Sequence, residues 1–282
     1  MTLREWLAKG EVQLCAGPHP QRARRDAESL LLHLAGKNRA WLLTHLEDEF
    51  GGCTAIGYAG LLDRRAQGEP LQYITGETEF YGLPFRVTRD VLIPRPETEH
   101  LVENVLKLSG SFATPRIVDV GTGSGAIAVA LAHKLPQAQI TAVDISTPAL
   151  ALARRNAEQN GVAARIRFLS GDLLAPIAAE QFDIVVSNPP YVPSADRASL
   201  AVEVRDYEPA LALFAGDDGL QVYRRLIPAA FAALAPGGYV ALEIGCGQVP
   251  AIRSLMIDSG FEQIEFLPDL QNIPRVVSAQ RH

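Results

Sequence analysis

From residue 116 onward the sequence alternates between two kinds of segment, and no other feature narrows the fold as far. Short apolar, β-branched runs at 117–120, 140–144, 166–169, 182–187, 239–244, 262–267 and 275–279 read as strands. Helical stretches, including 126–134, 148–159 and 220–234, lie between most of them. Such alternation predicts an open, mostly parallel sheet covered by helices on both faces. The last strand follows its predecessor through a short link, so it is expected to be antiparallel.

The first 75 residues carry a different pattern and read as a small all-helical domain, 1–75. Thr2 and Glu5 have capping-box spacing at a helix start. Leu30, Leu31 and Leu34 form an apolar stripe that Gly36 can stop. Further helices are expected near 39–46 and 54–67, with Gly68 and Pro70 ending the pattern. Trp6 and Trp41 are expected in this domain's core. The cluster Arg22, Arg24 and Arg25, followed by Asp26 and Glu28, reads as a solvated helix face. Residues 76–95 read as a connector containing a hairpin near 79–87. Pro96, Glu97 and Glu99 then suit the first turn of a helix running to about residue 108, which opens the sheet domain, 96–282.

Composition excludes several classes. Lys+Arg 26 against Asp+Glu 32 gives −6, which disfavours holding nucleic acid through its phosphates. No run approaches the ~20 apolar residues of a membrane-spanning helix. Arg4, Glu5, Lys9 and Glu11 break up any signal-peptide core. Cys15, Cys53 and Cys246 are odd in number and widely spaced, and the histidines lack ligand spacing, so no metal site or disulfide framework is expected. Cys246 reads as a packing residue near a strand end. The expected address is the cytoplasm.

Two runs carry chemistry. Gly121-Thr122-Gly123-Ser124-Gly125 ends one strand and opens a helix, a turn where backbone can approach a ligand closely. Asp144 ends the next strand and can bind two ribose hydroxyls. These residues fit a nicotinamide dinucleotide and S-adenosylmethionine alike. Asp119 before the turn, the Gly123-Ser124-Gly125 run and Asp172 after the third strand tilt the reading toward the second ligand. Asp172 stands where an acid could accept from an adenine amino group.

The second run is Asn188-Pro189-Pro190-Tyr191, at the end of the fourth strand. Two prolines stiffen the backbone and donate no hydrogen, Asn188 supplies an acceptor, and Tyr191 offers a ring face. This set suits a planar nitrogen nucleophile whose lone pair is delocalised, such as an amide or an exocyclic base amine. Acceptors on its two hydrogens aim that lone pair and stabilise the positive charge that develops on nitrogen.

Across nearly its whole length the sequence resembles the HemK-like release-factor glutamine N5-methyltransferases. The resemblance rests on 72–77, 79–83, Ile93-Pro94-Arg95-Pro96-Glu97-Thr98-Glu99, Gly121 to Gly125, Ser187 to Tyr191, 208–211 with 218–220, and 243–245 with Gln248. The Arg-Pro-Glu-Thr-Glu segment is narrower than the Asn-Pro-Pro-Tyr run, which nucleic-acid adenine-N6 methyltransferases share. The resemblance implies a Rossmann-like, seven-stranded α/β methyltransferase domain preceded by a helical domain that recognises a peptide chain release factor. It implies methyl transfer from S-adenosylmethionine to the side-chain amide of the glutamine in a Gly-Gly-Gln loop, leaving S-adenosylhomocysteine. Gly121, Thr122, Gly123, Ser124, Gly125 and Asp144 would hold the cofactor, with Asp172 and Leu173 beside its base and Asn188 nearby. Many members carry an aromatic where this chain has Leu173. Asn188 and Pro189 would bind the glutamine amide, and Pro190 and Tyr191 would shape its pocket. Arg95 would support the substrate loop or form a surface ion pair with a nearby glutamate. A monomer, without direct nucleic-acid or membrane contact, is expected. The alternatives are a ribosomal-protein glutamine methyltransferase, a nucleic-acid adenine methyltransferase, a nicotinamide oxidoreductase and a non-catalytic binding module.

Overall fold

A computed structural model describes residues 1–49 and 51–282. The chain packs as two compact units, Met1–Glu77 with Leu200–Tyr207, and Thr78–Ser199 with Glu208–His282.

The first unit is helical. In α1 (Leu3–Cys15) the Thr2 hydroxyl accepts from the Glu5 amide, and Glu5 Oε2 accepts from the Thr2 amide at 2.9 Å. Helix α2 (Ala23–Ala35) stops at Gly36, in the left-handed region at φ 61°. Asn38 caps α3 (Arg39–Thr44), and α4 (Cys53–Ala66) follows. Pro70 does not end the helical pattern: it opens a further short helix, α5 (Leu71–Thr75). Leu3, Leu7, Leu30, Leu31, Tyr58 and Leu62 form the core.

Both tryptophans depart from expectation. Trp6 and Trp41 are half-buried at the core's margin, and the fully buried aromatic is Tyr58, whose hydroxyl donates to the Ala27 carbonyl at 3.0 Å. Asp26 departs further. Arg22, Arg24 and Arg25 are exposed as expected, but Asp26 shares the inward face with Ala23, Ala27 and Leu30 and is only 2% exposed. Buried charge requires a partner, and Arg65 Nε donates to it at 2.7 Å.

In the second unit, β1 (Glu77–Phe80) and β2 (Leu83–Arg86) form a hairpin whose turn residues, Tyr81 and Gly82, both have positive φ. That geometry matches the right-handed twist of the two strands. The hairpin is seated within this unit. Asn156 exchanges hydrogen bonds with the backbone of Arg86, at 2.8 and 3.0 Å. In chain order there follow α6 (Glu99–Ser109), β3 (Arg116–Val120), α7 (Ala126–Lys134), β4 (Gln139–Asp144), α8 (Thr147–Gln159), β5 (Ile166–Ser170) and β6 (Phe182–Ser187). The chain then returns to the first unit as α9 (Val202–Arg205), where Glu203 accepts from Arg65 at 3.2 Å. Back in the second unit lie α10 (Ala210–Leu213), α11 (Gln221–Ala233), β7 (Leu234–Glu243), α12 (Val249–Asp258), β8 (Glu262–Pro268) and β9 (Pro274–Gln280).

The sheet has seven strands in the order β5-β4-β3-β6-β7-β9-β8. Strand β9 is antiparallel to both neighbours, and the pairings from β5 to β7 are parallel. Apolar clusters cover both faces, around Leu101, Val129 and Ile140 on one and around Val185, Leu226 and Ile252 on the other. Among the described residues, no helix is long and apolar enough to cross a membrane. Cys246 is exposed in the turn after β7 and is not the packing residue expected. The Cys53 side chain lies outside the described residues.

Candidate active site

Strands β3, β4, β6 and β7 end on one edge of the sheet. Val120 is level with Val143 and with Ser187, and Ser187 with Leu242. Gly121, Asp144, Asn188 and Glu243 therefore gather along one rim, the carboxyl edge where open α/β sheets bind ligands.

The glycine turn has two functions. At Gly125 (φ 82°) a Cβ would stand 3.1 Å from the Cβ of Ala153, so this glycine lets α7 and α8 pack closely. At Gly121 and Gly123 no protein atom lies within 4 Å of a Cβ position, so the backbone there borders open space. Several of the turn's amides are satisfied internally. Gly121 and Thr122 donate to the Val143 carbonyl at 2.8 and 3.0 Å, and Gly123 donates to Asp144 Oδ2 at 2.8 Å. Asp119 accepts from the Thr122 hydroxyl at 2.6 Å and from the Ala128 amide in the first turn of α7.

Burial lifts the Asp119 carboxyl from 3.8 to about 7, against the lowering effect of the Thr122 and Ala128 hydrogen bonds. Its Oδ1 is buried with no hydrogen-bond partner among the described residues. Asp144 accepts from the Ser146 amide on Oδ1 and the Gly123 amide on Oδ2, both at 2.8 Å. Those bonds fix the carboxylate, and each oxygen keeps a lone pair for a hydroxyl.

A cavity of about 410 Å³ opens at this rim. Gly121, Thr122, Gly123, Ser124, Asp144, Asp172, Leu173, Asn188, Pro190 and Arg95 all line it. Gly125, Pro189 and Tyr191 do not line it. Gly125 faces α8, and Pro189 is buried. Tyr191 turns its hydroxyl to Glu243 Oε1 at 3.3 Å, so it stands behind the wall rather than offering a ring face. Burial, with the nearby Glu243 charge, raises the Tyr191 pKa. Asp172 pairs with Arg225, which lines the same cavity, and Leu173 beside it adopts a positive φ of 49°.

Arg95 pairs with Glu208 at 2.5 Å, so its partner is not a nearby glutamate but one from the loop before α10. The Glu208 side chain is only 1% exposed while Arg95, which lines the cavity, is 32% exposed, so this is a part-buried pair rather than a surface one.

Several residues of the site lie in the stretches that carry the resemblance but receive no role from the sequence alone. Thr98 lines the cavity, accepts from Asn188 Nδ2 at 3.1 Å and donates to Glu243 Oε2 at 2.6 Å. Gln248 donates to the carbonyls of Tyr191 and Gly219 and accepts from the Gly245 amide, tying three loops together. At Gly219 a Cβ would stand 2.3 Å from the Tyr191 carbonyl, so only glycine fits. Glu243 could be anticipated once β6 and β7 are known to be neighbours, because their register sets it beside Asn188.

Residues 5–76 match the PrmC N-terminal domain family, and residues 96–204 match the Methyltransferase small domain family. The release factor glutamine methyltransferase of Moorella thermoacetica is 45% identical over 282 residues, covering 100% of this chain and 99% of its own. That of Deinococcus radiodurans is 42% identical over 283 aligned residues, with the same coverage of each chain. Among solved structures, the hMettl16 catalytic domain in complex with an RNA hairpin superposes with a TM-score of 0.59 at 17% identity, covering 81% of this chain and 82% of that one. The 16S rRNA N2 G1207 methyltransferase of T. Thermophilus gives a TM-score of 0.54 at 20% identity, covering 73% and 50%. These two likenesses speak to the fold, and the close, full-length sequence relatives speak to the lineage: this chain belongs to the release factor glutamine methyltransferase family.

Proposed function

We propose that this chain transfers a methyl group from S-adenosylmethionine to the side-chain amide nitrogen of the glutamine in a release factor's Gly-Gly-Gln loop. One observation carries the reading: a single cavity joins the open glycine turn and Asp144 to Asn188. The residues present fit the methyl donor. Gly121 and Gly123 border open space, and Asp144 keeps lone pairs for two ribose hydroxyls. When bound, S-adenosylmethionine supplies an electrophilic methyl group on a positively charged sulfur.

The chain's own residues act on the amide. Asn188 Oδ1 accepts no hydrogen bond among the described residues, while its Nδ2 donates to Thr98. That oxygen accepts one hydrogen of the glutamine amide. The Pro189 carbonyl, outside the cavity's lining but next to Asn188 on a backbone stiffened by two prolines, accepts the other. Held by both hydrogens, the nitrogen turns its lone pair out of conjugation toward the methyl donor. The same acceptors stabilise the positive charge that grows on nitrogen, and the proton becomes acidic only as the new bond forms. No strong base is needed beforehand. Asp172, Arg225 and Leu173 border the space for the adenine, and the Arg95–Glu208 pair supports the wall on the substrate side.

In this reading the helical unit recognises the release factor, whose work with ribosomes sets the address as the cytoplasm. The net charge of −6 supports a protein substrate over a nucleic acid. Mass spectrometry of a bacterial release factor incubated with this protein and S-adenosylmethionine tests the proposal. One methyl gained on the glutamine of the Gly-Gly-Gln peptide is expected. Labelling of a ribosomal protein or of nucleic acid instead would overturn it.

A further inference from the structure

Behind Asn188 lies a chain of buried groups. Its Nδ2 donates to Thr98 Oγ1 at 3.1 Å, and Thr98 Oγ1 donates to Glu243 Oε2 at 2.6 Å. Tyr191 donates its hydroxyl to Glu243 Oε1 at 3.3 Å. Thr98 and Glu243 are both nearly inaccessible, at 4% and 2% exposure. The three partners come from distant parts of the sequence: the turn before α6, the loop after β6 and the end of β7.

A threonine hydroxyl has one hydrogen. Here it is committed to the Glu243 carboxylate, so Thr98 faces Asn188 with lone pairs alone. Only the NH₂ end of the Asn188 carboxamide can meet them. The reversed amide would set oxygen against oxygen in a buried place. Resting on the methyl-transfer reading above, we infer that Glu243, acting through Thr98, locks the Asn188 carboxamide with its oxygen toward the substrate, so that the site accepts a carboxamide and rejects the corresponding carboxylic acid. A glutamine presents hydrogens to that oxygen. A glutamate would present lone pairs and a negative charge to it, and to the Pro189 carbonyl beside it. Thr98 and Glu243 are thus positioning residues, and they serve specificity as well as rate.

The test uses the full-length protein with a release factor as substrate. Thr98→Val keeps the shape and removes the hydroxyl. It should lower kcat about three- to tenfold, the weight of one hydrogen bond, with S-adenosylhomocysteine affinity unmoved. Thr98→Ser should restore most of that loss. In an Asn188→Ala background, Thr98→Val should cost nothing further, because the residue through which it acts is gone. A second readout needs no turnover. The Asn188 side-chain NH₂ resonances in a ¹⁵N-labelled protein should shift in Thr98→Val and Glu243→Gln and hold in Thr98→Ser. A wild-type protein that methylates no release factor would sink the function proposed above, while the resonances would still report the lock. Unshifted resonances in Thr98→Val would overturn the lock, as would an equal Thr98→Val loss with and without Asn188.

Discussion

Two buried carboxylates, one in each unit, are satisfied in different ways. Asp26 meets Arg65 Nε at 2.7 Å, and Arg65 Nη1 donates to the Glu69 carbonyl and to Glu203. Charge answers charge there, and the cluster closes on itself. Glu243 takes its side-chain hydrogen bonds from two hydroxyls, those of Thr98 and Tyr191. Arg275 and Glu97 influence it from farther away, and Tyr223 donates to its backbone carbonyl at 2.7 Å. Burial raises the Glu243 pKa, so this acid carries a desolvation cost that no cation cancels at contact. The difference teaches what each arrangement is for. A closed ion pair fixes packing. A carboxylate held by hydroxyls orients each of them, and the Thr98 hydroxyl passes that orientation to Asn188.

The largest effect is expected from breaking the closed pair. Arg65→Met leaves Asp26 charged and uncompensated in the core, a change that typically costs about 3–5 kcal/mol. The chain's two tryptophans, Trp6 and Trp41, both lie in the first unit, so tryptophan fluorescence follows that unit alone. Its urea midpoint should fall sharply, and adding Asp26→Leu should recover most of the loss. A loss below about 1 kcal/mol would place the pair with surface salt bridges and collapse the comparison.

Asn188→Ala probes the other arrangement and should separate rate from stability. Turnover should drop roughly 10²–10³-fold, the usual weight of one transition-state hydrogen bond. The urea midpoint and S-adenosylhomocysteine affinity should barely move, because the side chain is half-buried and makes a single hydrogen bond to Thr98. Equal losses of turnover and cofactor affinity would make Asn188 a structural residue.

The sequence exposes what is local. Strands buried on both faces read as continuous apolar runs, which is why 140–144 and 182–187 announce themselves. The glycine turn, Asp144 and Asn188 are legible because each lies within a short run whose chemistry is self-contained. The connections between runs are not local. Thr98 and Glu243 are 145 residues apart, Asn188 and Thr98 90, and Arg65 and Glu203 138. Nothing in any of those segments reveals that β6 lies beside β7, or that 200–207 returns to the helical unit. Asp26 misleads for a related reason: its sequence neighbours are charged, while its helix face is decided by Ala23, Ala27 and Leu30.

Asp119 extends the comparison to a third buried acid, with neither a cation nor a full set of donors. Thr122 and the Ala128 amide bond it, Asp144 repels it, and Oδ1 has no partner among the described residues. Its carboxyl titrates at about 7 in the folded chain against 3.8 when free. The folded state therefore binds this proton more tightly than the unfolded state. The cost of its charge is absent below 3.8, grows as pH rises through that window and is complete above about 7. Asp119→Asn removes the charge. Unfolding should show the variant gaining on the wild type as pH rises from about 4 to about 8, with the gap narrowing at the acid end. A gap that is constant with pH would mean that Asp119 is already charged, and satisfied, throughout.

The smallest effect is expected where the same groups meet in water. Thr2 and Glu5 exchange two hydrogen bonds at the start of α1, both exposed. Glu5, like Glu243, takes part in two such bonds, although its side chain accepts only one and its amide donates the other. Solvent makes the difference. If the Thr2 hydroxyl is removed, water can reach the freed Glu5 amide, so Thr2→Ala should cost only about 1 kcal/mol, as helix caps do. Tryptophan fluorescence should register that shift, because Trp6 sits on the same helix. Methyl transfer should stay at the wild-type rate at temperatures where the unit is folded. A cost approaching that of Arg65→Met would mean that burial does not decide the worth of these contacts, and the contrast between Asp26 and Glu243 would then have to rest on geometry alone.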